Sequence, residues 1–197
     1  MAELKTVQMI IMKTYKWSEA DLIIHALMPT GAREHFLARA ALKSRRRFGG
    51  GTLEPTHCIE AIFQPARTET GLHHLQEARV IESFEGLRGD YDRLLLALNT
   101  VAAVDRTAPG GEIPGLYSLL GNALKALATG RPTARVEAHF AIKFLRLHGV
   151  LASVDWMRSF LSLPLNTQSE ESFPDLKEGD RKNLLSHFEQ FVASAEL

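Results

Sequence analysis

The sequence predicts an α+β protein in which a small five-stranded β-barrel precedes an all-helical domain. Up to residue 82 the apolar runs are short, contain Val, Ile, Phe and Thr, and are separated by Gly and Pro, which is typical of strands joined by turns. After that point the apolar residues recur every three or four positions, which is typical of helices. We therefore predict two domains, over residues 1–82 and 83–197.

Five apolar runs predict the strands of the barrel. They are evenly spaced and leave no room for crossover helices, so an antiparallel barrel of the size of an OB-fold is expected. The third run also fits a single helix over residues 34–42, and this alternative stays open at the level of sequence. The five runs are Thr6–Tyr15, Leu22–Met28, Glu34–Ala41, His57–Phe63 and Leu72–Ile81.

Four apolar stripes predict the helices of the second domain. The first follows Asp90, a residue type that caps helices, the second is closed by Gly130 and Pro132, the third ends at Gly149, and the fourth opens at Asp180. Residues 162–179 are rich in Ser, Pro, Asn and acidic residues and are predicted to form a loop. The stripes are Tyr91, Leu94, Leu95, Leu98, Val101 and Ala102; Ile113, Leu116, Tyr117, Leu120, Leu124 and Leu127; Val136, Phe140, Phe144 and Leu147; and Leu184, Leu185, Phe188, Phe191 and Val192.

Composition limits the class of protein. With 197 residues, of which 45% are hydrophobic, the chain is long enough to bury a core. The 23 basic and 23 acidic residues cancel, so a nucleic-acid surface has to come from an uneven distribution of charge. The single cysteine, Cys58, excludes a disulfide within the chain and favours a reducing compartment. The first apolar stretch is too short and too charged for a signal peptide or membrane span. We therefore expect a cytoplasmic protein with no membrane partner.

A basic loop over residues 43–51, with four cations, three glycines and one aromatic residue, is the most informative segment. Guanidinium groups and exposed backbone amides suit a line of phosphates, so the loop predicts nucleic-acid binding. A solvated turn is the alternative. Phe48 and Trp17 are candidates for base stacking, although Phe48 also fits an anchor beneath the loop. The predicted phosphate contacts are Lys43, Arg45, Arg46 and Arg47, extended by Lys13, Lys16, Arg33 and Arg39.

Catalytic motifs are scarce in this sequence. It contains neither the phosphate-binding loop of nucleotide hydrolases nor the glycine fingerprint of dinucleotide-binding domains. A metal-dependent hydrolase that uses His57, His73, His74 and Glu77 is one alternative. Adjacent residues of a strand point to opposite faces, however, so His73 and His74 cannot share a metal without a bulge. We predict no enzyme activity, metal or cofactor.

The order of these segments resembles the bacterial RecO DNA repair and recombination mediators. The resemblance spans roughly residues 5–151, and its ordered segments are harder to obtain by chance than any one motif. The segments are Trp17-Ser18-Glu19-Ala20-Asp21-Leu22-Ile23, the turn Thr30-Gly31, Leu42-Lys43-Ser44-Arg45-Arg46-Arg47-Phe48-Gly49-Gly50, Leu53-Glu54-Pro55, Glu77-Ala78, Ile81-Glu82-Ser83-Phe84 and Phe140-Ala141-Ile142-Lys143-Phe144-Leu145-Arg146-Leu147-His148-Gly149.

The resemblance implies a non-enzymatic, nucleoid-associated protein with an N-terminal OB-fold and a helical domain. Such a protein binds single- and double-stranded DNA, anneals complementary strands, works with RecR, helps to load RecA, and contacts the acidic C-terminal tail of single-stranded DNA-binding protein. A protein-interaction adaptor with weak DNA binding is the alternative. Candidate contacts to the acidic tail are Lys125, Arg131, Arg135 and Lys143.

The chain departs from the RecO pattern in three ways. Many RecO proteins carry four zinc-binding cysteines after the third helix, whereas Leu151–Glu171 contains none, so we expect no zinc module. The chain ends 46 residues after Leu151, so surfaces that the family places in its C-terminal part are expected to be reduced. Ala138 and His139 stand where some members have basic residues that bind the acidic tail.

Overall fold

The computed structural model of the protein describes residues 3–68, 71–152, 155–165 and 176–195. Within these ranges five strands precede five α-helices, and short 3-10 helices lie at Ala41–Lys43, Glu85–Leu87 and Asp155–Met157. The strands are β1 (Lys5–Lys16), β2 (Leu22–Leu27), β3 (Arg33–Ala38), β4 (Cys58–Gln64) and β5 (His73–Glu82). The helices are α1 (Tyr91–Thr107), α2 (Leu116–Ala128), α3 (Thr133–Leu147), α4 (Arg158–Ser162) and α5 (Glu178–Ser194).

The five strands close into a barrel in the order β1-β2-β3-β5-β4. All neighbouring pairs are antiparallel except β3 and β5, which run parallel. The first half of β1 pairs with β4 and its second half with β2, and the β1–β2 register shifts between Ile11 and Lys13. Such an irregularity bends a strand, which lets one strand serve both neighbours. This closed five-stranded barrel is an OB-fold, so the predicted fold class is confirmed.

Alternation along the strands builds the barrel core. In β4 the buried residues are Ile59, Ala61 and Phe63, with half-buried residues between them, as expected when every second side chain faces inward. The third predicted run is a strand, Arg33–Ala38, followed by a 3-10 helix, so the single-helix alternative for this run is wrong. The other members of the core are Met9, Ile11, Ile24, Ala26, Phe36, Ala38, Ala41, Phe48, Leu53, Leu75 and Ala78.

A second core forms among the helices. Side chains of α3, α4 and α5 bury one another, and the cluster consists of Ala138, Ala141, Ile142, Leu145, Met157, Phe160 and Leu184. The Oδ1 atom of Asp90 accepts a hydrogen bond of 3.1 Å from the backbone N–H of Arg93, so the predicted capping of α1 is confirmed.

The face that α1 buries differs from the predicted stripe. Tyr91, Leu95 and Leu98 are 76%, 43% and 39% exposed, whereas Ala97 and Val104 are fully buried. The predicted stripe is therefore wrong for Tyr91, Leu95 and Leu98, whereas Val101, which also belongs to it, is buried. Apolar residues occur almost all around α1, so periodicity alone left two faces possible, and the one with small residues is buried.

Two other helices begin at different residues from those predicted. The second apolar stripe starts at Ile113, but α2 starts at Leu116 because Pro114 and Gly115, with φ of 91°, interrupt the helix. The fourth stripe was predicted to open at Asp180, but α5 begins at Glu178 and holds Asp180 in its first turn. Most of the predicted loop over residues 162–179 lies outside the described residues, and the short helix α4 was not predicted.

The chain divides into two compact units. The barrel unit runs to Phe84 and includes Ala108–Tyr117, and the helical unit comprises Glu85–Thr107 and the chain from Ser118 onward. Residues 108–117, which the prediction placed in the helical domain, therefore group with the barrel. In the barrel unit the backbone N–H of Arg33 donates a hydrogen bond of 3.0 Å to the carbonyl of Pro109.

Candidate nucleic-acid interface

The turn between β1 and β2 is joined to the start of the basic loop. The backbone N–H of Leu42 donates to the carbonyl of Ala20 over 3.0 Å, and the N–H of Ala40 donates to Oδ1 of Asp21 over 2.8 Å. This bond from Ala40, followed by one from Ser18 and then by the charge of Arg39, holds the pKa of Asp21 below its ordinary value. The two bonds place the turn residues and the loop on one end of the barrel.

Contacts with the barrel core and with β5 also hold the basic loop in place. Phe48 is 5% exposed and belongs to the barrel core, and the carbonyl of Arg47 accepts a hydrogen bond of 3.0 Å from the N–H of Ala78 in β5. The Arg47 guanidinium lies 5.1 Å from the centre of the Phe48 ring and donates to the carbonyl of Arg39 over 2.8 Å. Arg47 therefore contributes to the shape of the loop as well as to its charge.

The outer cations of the loop are Lys43, Arg45 and Arg46, and all three are exposed. They are presented by a segment whose backbone is fixed at both ends, so less conformational entropy is lost when they bind a ligand than for a free tail. This arrangement suits contact with a polyanion.

Four further cations were predicted to extend the basic patch. The structure places some of them near the end of the barrel that carries the basic loop and places one of them away from it. Lys16 ends β1 next to the tied turn, Arg39 follows β3, and both are exposed; Lys13 is exposed three residues before Lys16. Arg33 starts β3, roughly 20 Å from Arg39 at the strand rise of about 3.3 Å per residue. Arg33 therefore does not join the patch around the loop.

The two candidates for base stacking differ in position. Phe48 is buried under the loop, so its ring offers no free face to a base, and the anchor alternative describes where it lies. Trp17 follows β1 in the tied turn and is 64% exposed. Trp17 is thus the aromatic side chain of this pair that a base can reach.

A cavity of about 600 Å³ opens beside the loop, between the ends of β3, β4 and β5. Its basic lining residues are Arg39, Arg47, Arg67 and His74. Arg67 and His74 were not among the predicted site residues. The sequence signal for this cavity was the position of Arg67 between β4 and β5, because this loop borders ligand sites in other OB-folds.

The candidate acidic-tail residues lie in the helical unit, and some of them surround His139. Residues 135, 139 and 143 are spaced four apart in α3 and share one face of the helix. His139 is 2% exposed and donates from Nε2 to the carbonyl of Phe160 over 2.6 Å. Burial is the largest of the effects that lower the pKa of His139 to about 4; the charges of Lys143 and Arg131 act in the same direction, and the hydrogen bond to Phe160 opposes them.

The four cations predicted to contact the acidic tail differ in how accessible their side chains are. The Lys143 ammonium donates to the carbonyl of Leu161 over 3.0 Å, and burial lowers its pKa. Arg131 and Arg135 are half-buried, whereas Lys125 in the last turn of α2 is exposed. Lys125 is therefore the most accessible of the four.

A groove of about 330 Å³ runs between α1, α3 and α5 within the helical unit. Its floor includes Phe140 and Phe188, and its charged lining residues are Arg106, Glu137 and Glu189. None of the four predicted tail cations lines this groove in the described part of the chain. Its two carboxylates make it a poor site for an acidic peptide.

The histidines considered for a metal site do not converge. His57 is buried near the carbonyl of Thr52, and His73 accepts from the N–H of Ala66 and lies 3.1 Å from a carboxylate oxygen of Glu34. His74 lines the cavity on the other side of β5. Across the described ranges, no group of three or more His, Cys, Asp or Glu residues is placed to hold a metal ion. Over the same ranges no helix has both the length and the apolar character needed to cross a bilayer.

Comparison with known proteins relates the chain to one protein family. Residues 1–84, which include the whole barrel sheet, match the family model described as the N-terminal region of recombination protein O. The protein named DNA repair protein RecO of Syntrophus aciditrophicus is 31% identical over 167 residues, which cover 83% of this chain and 62% of that protein. The chain is similar to RecO proteins over most of its length.

Other RecO relatives align over different lengths. The DNA repair protein RecO of Pelobacter propionicus is 30% identical over 149 residues, covering 75% of this chain and 59% of that protein. That of Maridesulfovibrio salexigens is 35% identical over 95 residues, covering 48% of this chain and 37% of the relative. The chain thus spans less than two thirds of the length of these relatives.

Proposed function

We propose that this chain is a RecO-family DNA repair and recombination mediator that binds single- and double-stranded DNA and anneals complementary strands. The observation that carries the proposal is the group of exposed cations, Lys43, Arg45 and Arg46, on a loop held at both ends beside Lys16 and Trp17. The names of its relatives, DNA repair protein RecO, support the same function.

The proposed mechanism involves no covalent step. The loop cations replace condensed counterions on the phosphates of one or two strands, so the binding free energy depends on salt. Trp17 adds a stacking contact of about 1 to 3 kcal/mol for a base that lies against it. Two strands held on one cationic surface repel each other less and are locally concentrated, which accelerates their pairing.

The proposed partners are those of a mediator. RecR binds the DNA-bound protein, RecA is loaded on the strand it holds, and the acidic tail of single-stranded DNA-binding protein contacts the helical unit near Lys125. The proposed location is the cytoplasm, in association with the nucleoid. The adaptor alternative differs in one property, since it requires these protein contacts without strong binding to DNA.

Salt-dependent DNA binding by loop variants tests the proposal. Fluorescence anisotropy of a labelled single-stranded oligonucleotide is measured at several salt concentrations with the wild type and with an R45A/R46A double variant. Arg47 is left intact because its guanidinium supports the loop. We expect the variant to bind more weakly and the slope of log affinity against log salt to fall by about 0.7 for each lost phosphate contact.

A matched control is R158A, because Arg158 is also exposed and pairs with Asp155 in the helical unit, outside the loop. We expect R158A to keep the affinity and the salt slope of the wild type. Equal salt slopes for the wild type and R45A/R46A would show that the loop does not bind DNA. Absence of wild-type binding at low salt would favour the adaptor alternative.

A further inference from the structure

The cavity between the ends of β3, β4 and β5 differs from the exposed surface of the basic loop. Arg39 and Arg47 approach it from the β3 side, and Arg67 and His74 approach it from the β4–β5 side. None of the described residues that line the cavity is acidic. Among the described residues, three arginines and a histidine therefore line one concave volume without an acidic residue.

The shape of the cavity indicates a compact ligand. A volume of about 600 Å³ lies within the range of small-molecule sites and is larger than an inorganic anion requires. Leu37 and Leu72 supply apolar wall, and Gln64 supplies a carboxamide that both donates and accepts hydrogen bonds. A site with an apolar wall, an amide and several guanidinium groups suits a base attached to a phosphate.

The register of the sheet explains why these groups converge. Leu37 of β3 is the partner of His74 in the parallel β3–β5 pair, and Gln64 of β4 is the partner of His74 in the antiparallel pair. The three side chains therefore form one row on the outer face of the barrel. Arg47 is oriented toward this row by its hydrogen bond of 2.8 Å to the carbonyl of Arg39.

We propose that this cavity binds the phosphorylated end of a DNA strand, with the terminal phosphate on the arginines and the terminal base against the apolar wall. This inference rests on the proposed DNA-binding function. A terminal phosphate monoester carries a charge of about −1.5 to −2 near pH 7 and three strong acceptor oxygens, whereas an internal diester carries one charge. Three guanidinium groups complement the monoester better than the diester. The site is a half-open pocket that the end of a chain can enter, while a continuous strand needs a groove that is open at both ends.

The test compares oligonucleotides that differ only at their ends. Internally labelled single strands with a 5′-phosphate, a 3′-phosphate or hydroxyl groups at both ends are titrated with the wild type, R67Q and R45Q. We expect the wild type to bind one phosphorylated end about tenfold more tightly than the hydroxyl ends, as the loss of a charge-assisted contact predicts. The two phosphorylated probes show which end fits.

The variants separate this site from the basic loop. R67Q should lose the preference for phosphorylated ends and keep its affinity for the hydroxyl-ended strand within about threefold, because Arg67 lies outside the loop. R45Q should weaken the binding of all the probes and keep their ratio. H74Q is a second cavity variant and should reduce the ratio as R67Q does. Equal wild-type affinities for all ends would overturn the inference and leave the proposed DNA binding intact.

A small probe keeps the two proposals distinguishable if no oligonucleotide binds. Thymidine 5′-monophosphate, thymidine 3′-monophosphate and unphosphorylated thymidine are titrated into the isotope-labelled wild type and R67Q, and amide and imidazole NMR signals are followed. Saturable shifts at Arg67, Gly71 and His74 with either phosphate, absent with thymidine and in R67Q, would support the cavity as a nucleotide site although DNA binding had failed. Absence of shifts with both phosphates would overturn it.

Discussion

Some positions of this fold accept only one residue type, and Gly31 is the clearest example. It has φ of 85°, and a Cβ atom built on it would lie 2.0 Å from the carbonyl oxygen of Ile113, inside the barrel unit. Moving the backbone of Ile113 to relieve this overlap costs free energy, so we expect G31A to lower the free energy of unfolding by about 3 kcal/mol or more. Thermal unfolding followed by circular dichroism measures this change.

Gly110 provides the control for this substitution. It lies in the same segment as Ile113, its would-be Cβ meets no atom within 4 Å, and it is exposed. G110A should change the free energy of unfolding by less than about 0.5 kcal/mol. Equal midpoints for G31A and the wild type would contradict the close approach of Ile113.

His139 makes the stability of the helical unit depend on pH. Its pKa is about 4 in the folded protein, because burial disfavours the charged ring, and about 6.5 when the chain unfolds. Between these values the unfolded state binds more protons, so stability falls as the pH decreases from 6.5 toward 4. The loss contributed by this group approaches about 3 kcal/mol at the acid end of the window.

Replacement of His139 by Gln isolates this effect, because the carboxamide N–H can still donate to the carbonyl of Phe160 but does not titrate. Denaturant unfolding of the wild type and H139Q is compared at pH 7.5, 5.5 and 4.5. The difference in the free energy of unfolding between the two proteins should change in favour of H139Q as the pH falls. Parallel pH profiles would show that His139 is not the group responsible.

At the scale of secondary-structure elements, aromatic packing holds α5 against α3. Phe144 is fully buried, and its ring centre lies 5.3 Å from those of Phe140 and Phe188 and 6.1 Å from that of Phe191. F144A leaves a cavity among these rings, so we expect a loss of about 3 to 5 kcal/mol in stability. Thermal unfolding and the near-ultraviolet circular dichroism of the aromatic side chains measure the loss.

Leu147 of the same helix is the matched control, since it is 38% exposed and has little packing to lose. L147A should cost less than about 1.5 kcal/mol. If both variants lost the same stability, the aromatic cluster would not be what fixes α5 to α3.

The secondary-structure elements also show which features of the fold can be predicted from the sequence and which cannot. The strands were predictable because turns rich in Gly and Pro separate them and because alternation in β4 follows burial directly. The buried face of α1 was not predictable, because the large side chains Tyr91 and Leu95 suggested one face while the close-packed face uses Ala97 and Val104. The choice between two apolar faces depends on the partner, which periodicity does not contain.

The candidate site was predictable only in part for a similar reason. The basic loop is contiguous in sequence, so its cations could be read directly. The burial of Phe48 and the convergence of Arg67 and His74 with Arg39 depend on strand register and barrel closure. Residues far apart in sequence share a cavity only after the sheet has formed.

At the scale of the whole molecule, the zero net charge makes it possible to test whether a local patch or the total charge attracts DNA. The chain carries 23 basic and 23 acidic residues, so bulk attraction to a polyanion is small and a local patch has to supply the affinity. R45A/R46A makes the net charge −2, and neutralising Glu3 and Glu112 by Gln in the same chain restores it to zero. Both carboxylates belong to the barrel unit and are exposed.

These two acids lie away from the basic loop. Glu3 precedes Lys5, which pairs with Phe63 near the end of β4, whereas the start of the loop is tied to the turn that follows Lys16 at the other end of β1. Glu112 adjoins Ile113, which contacts Gly31 at the opposite end of the β2–β3 pair from Arg39. At 0.15 M salt charges beyond about 8 Å are largely screened. The quadruple variant should therefore bind DNA as weakly as R45A/R46A in anisotropy titrations, and E3Q/E112Q alone should bind within about threefold of the wild type. Recovery of wild-type affinity in the quadruple variant would mean that net charge, and not the loop, governs DNA binding.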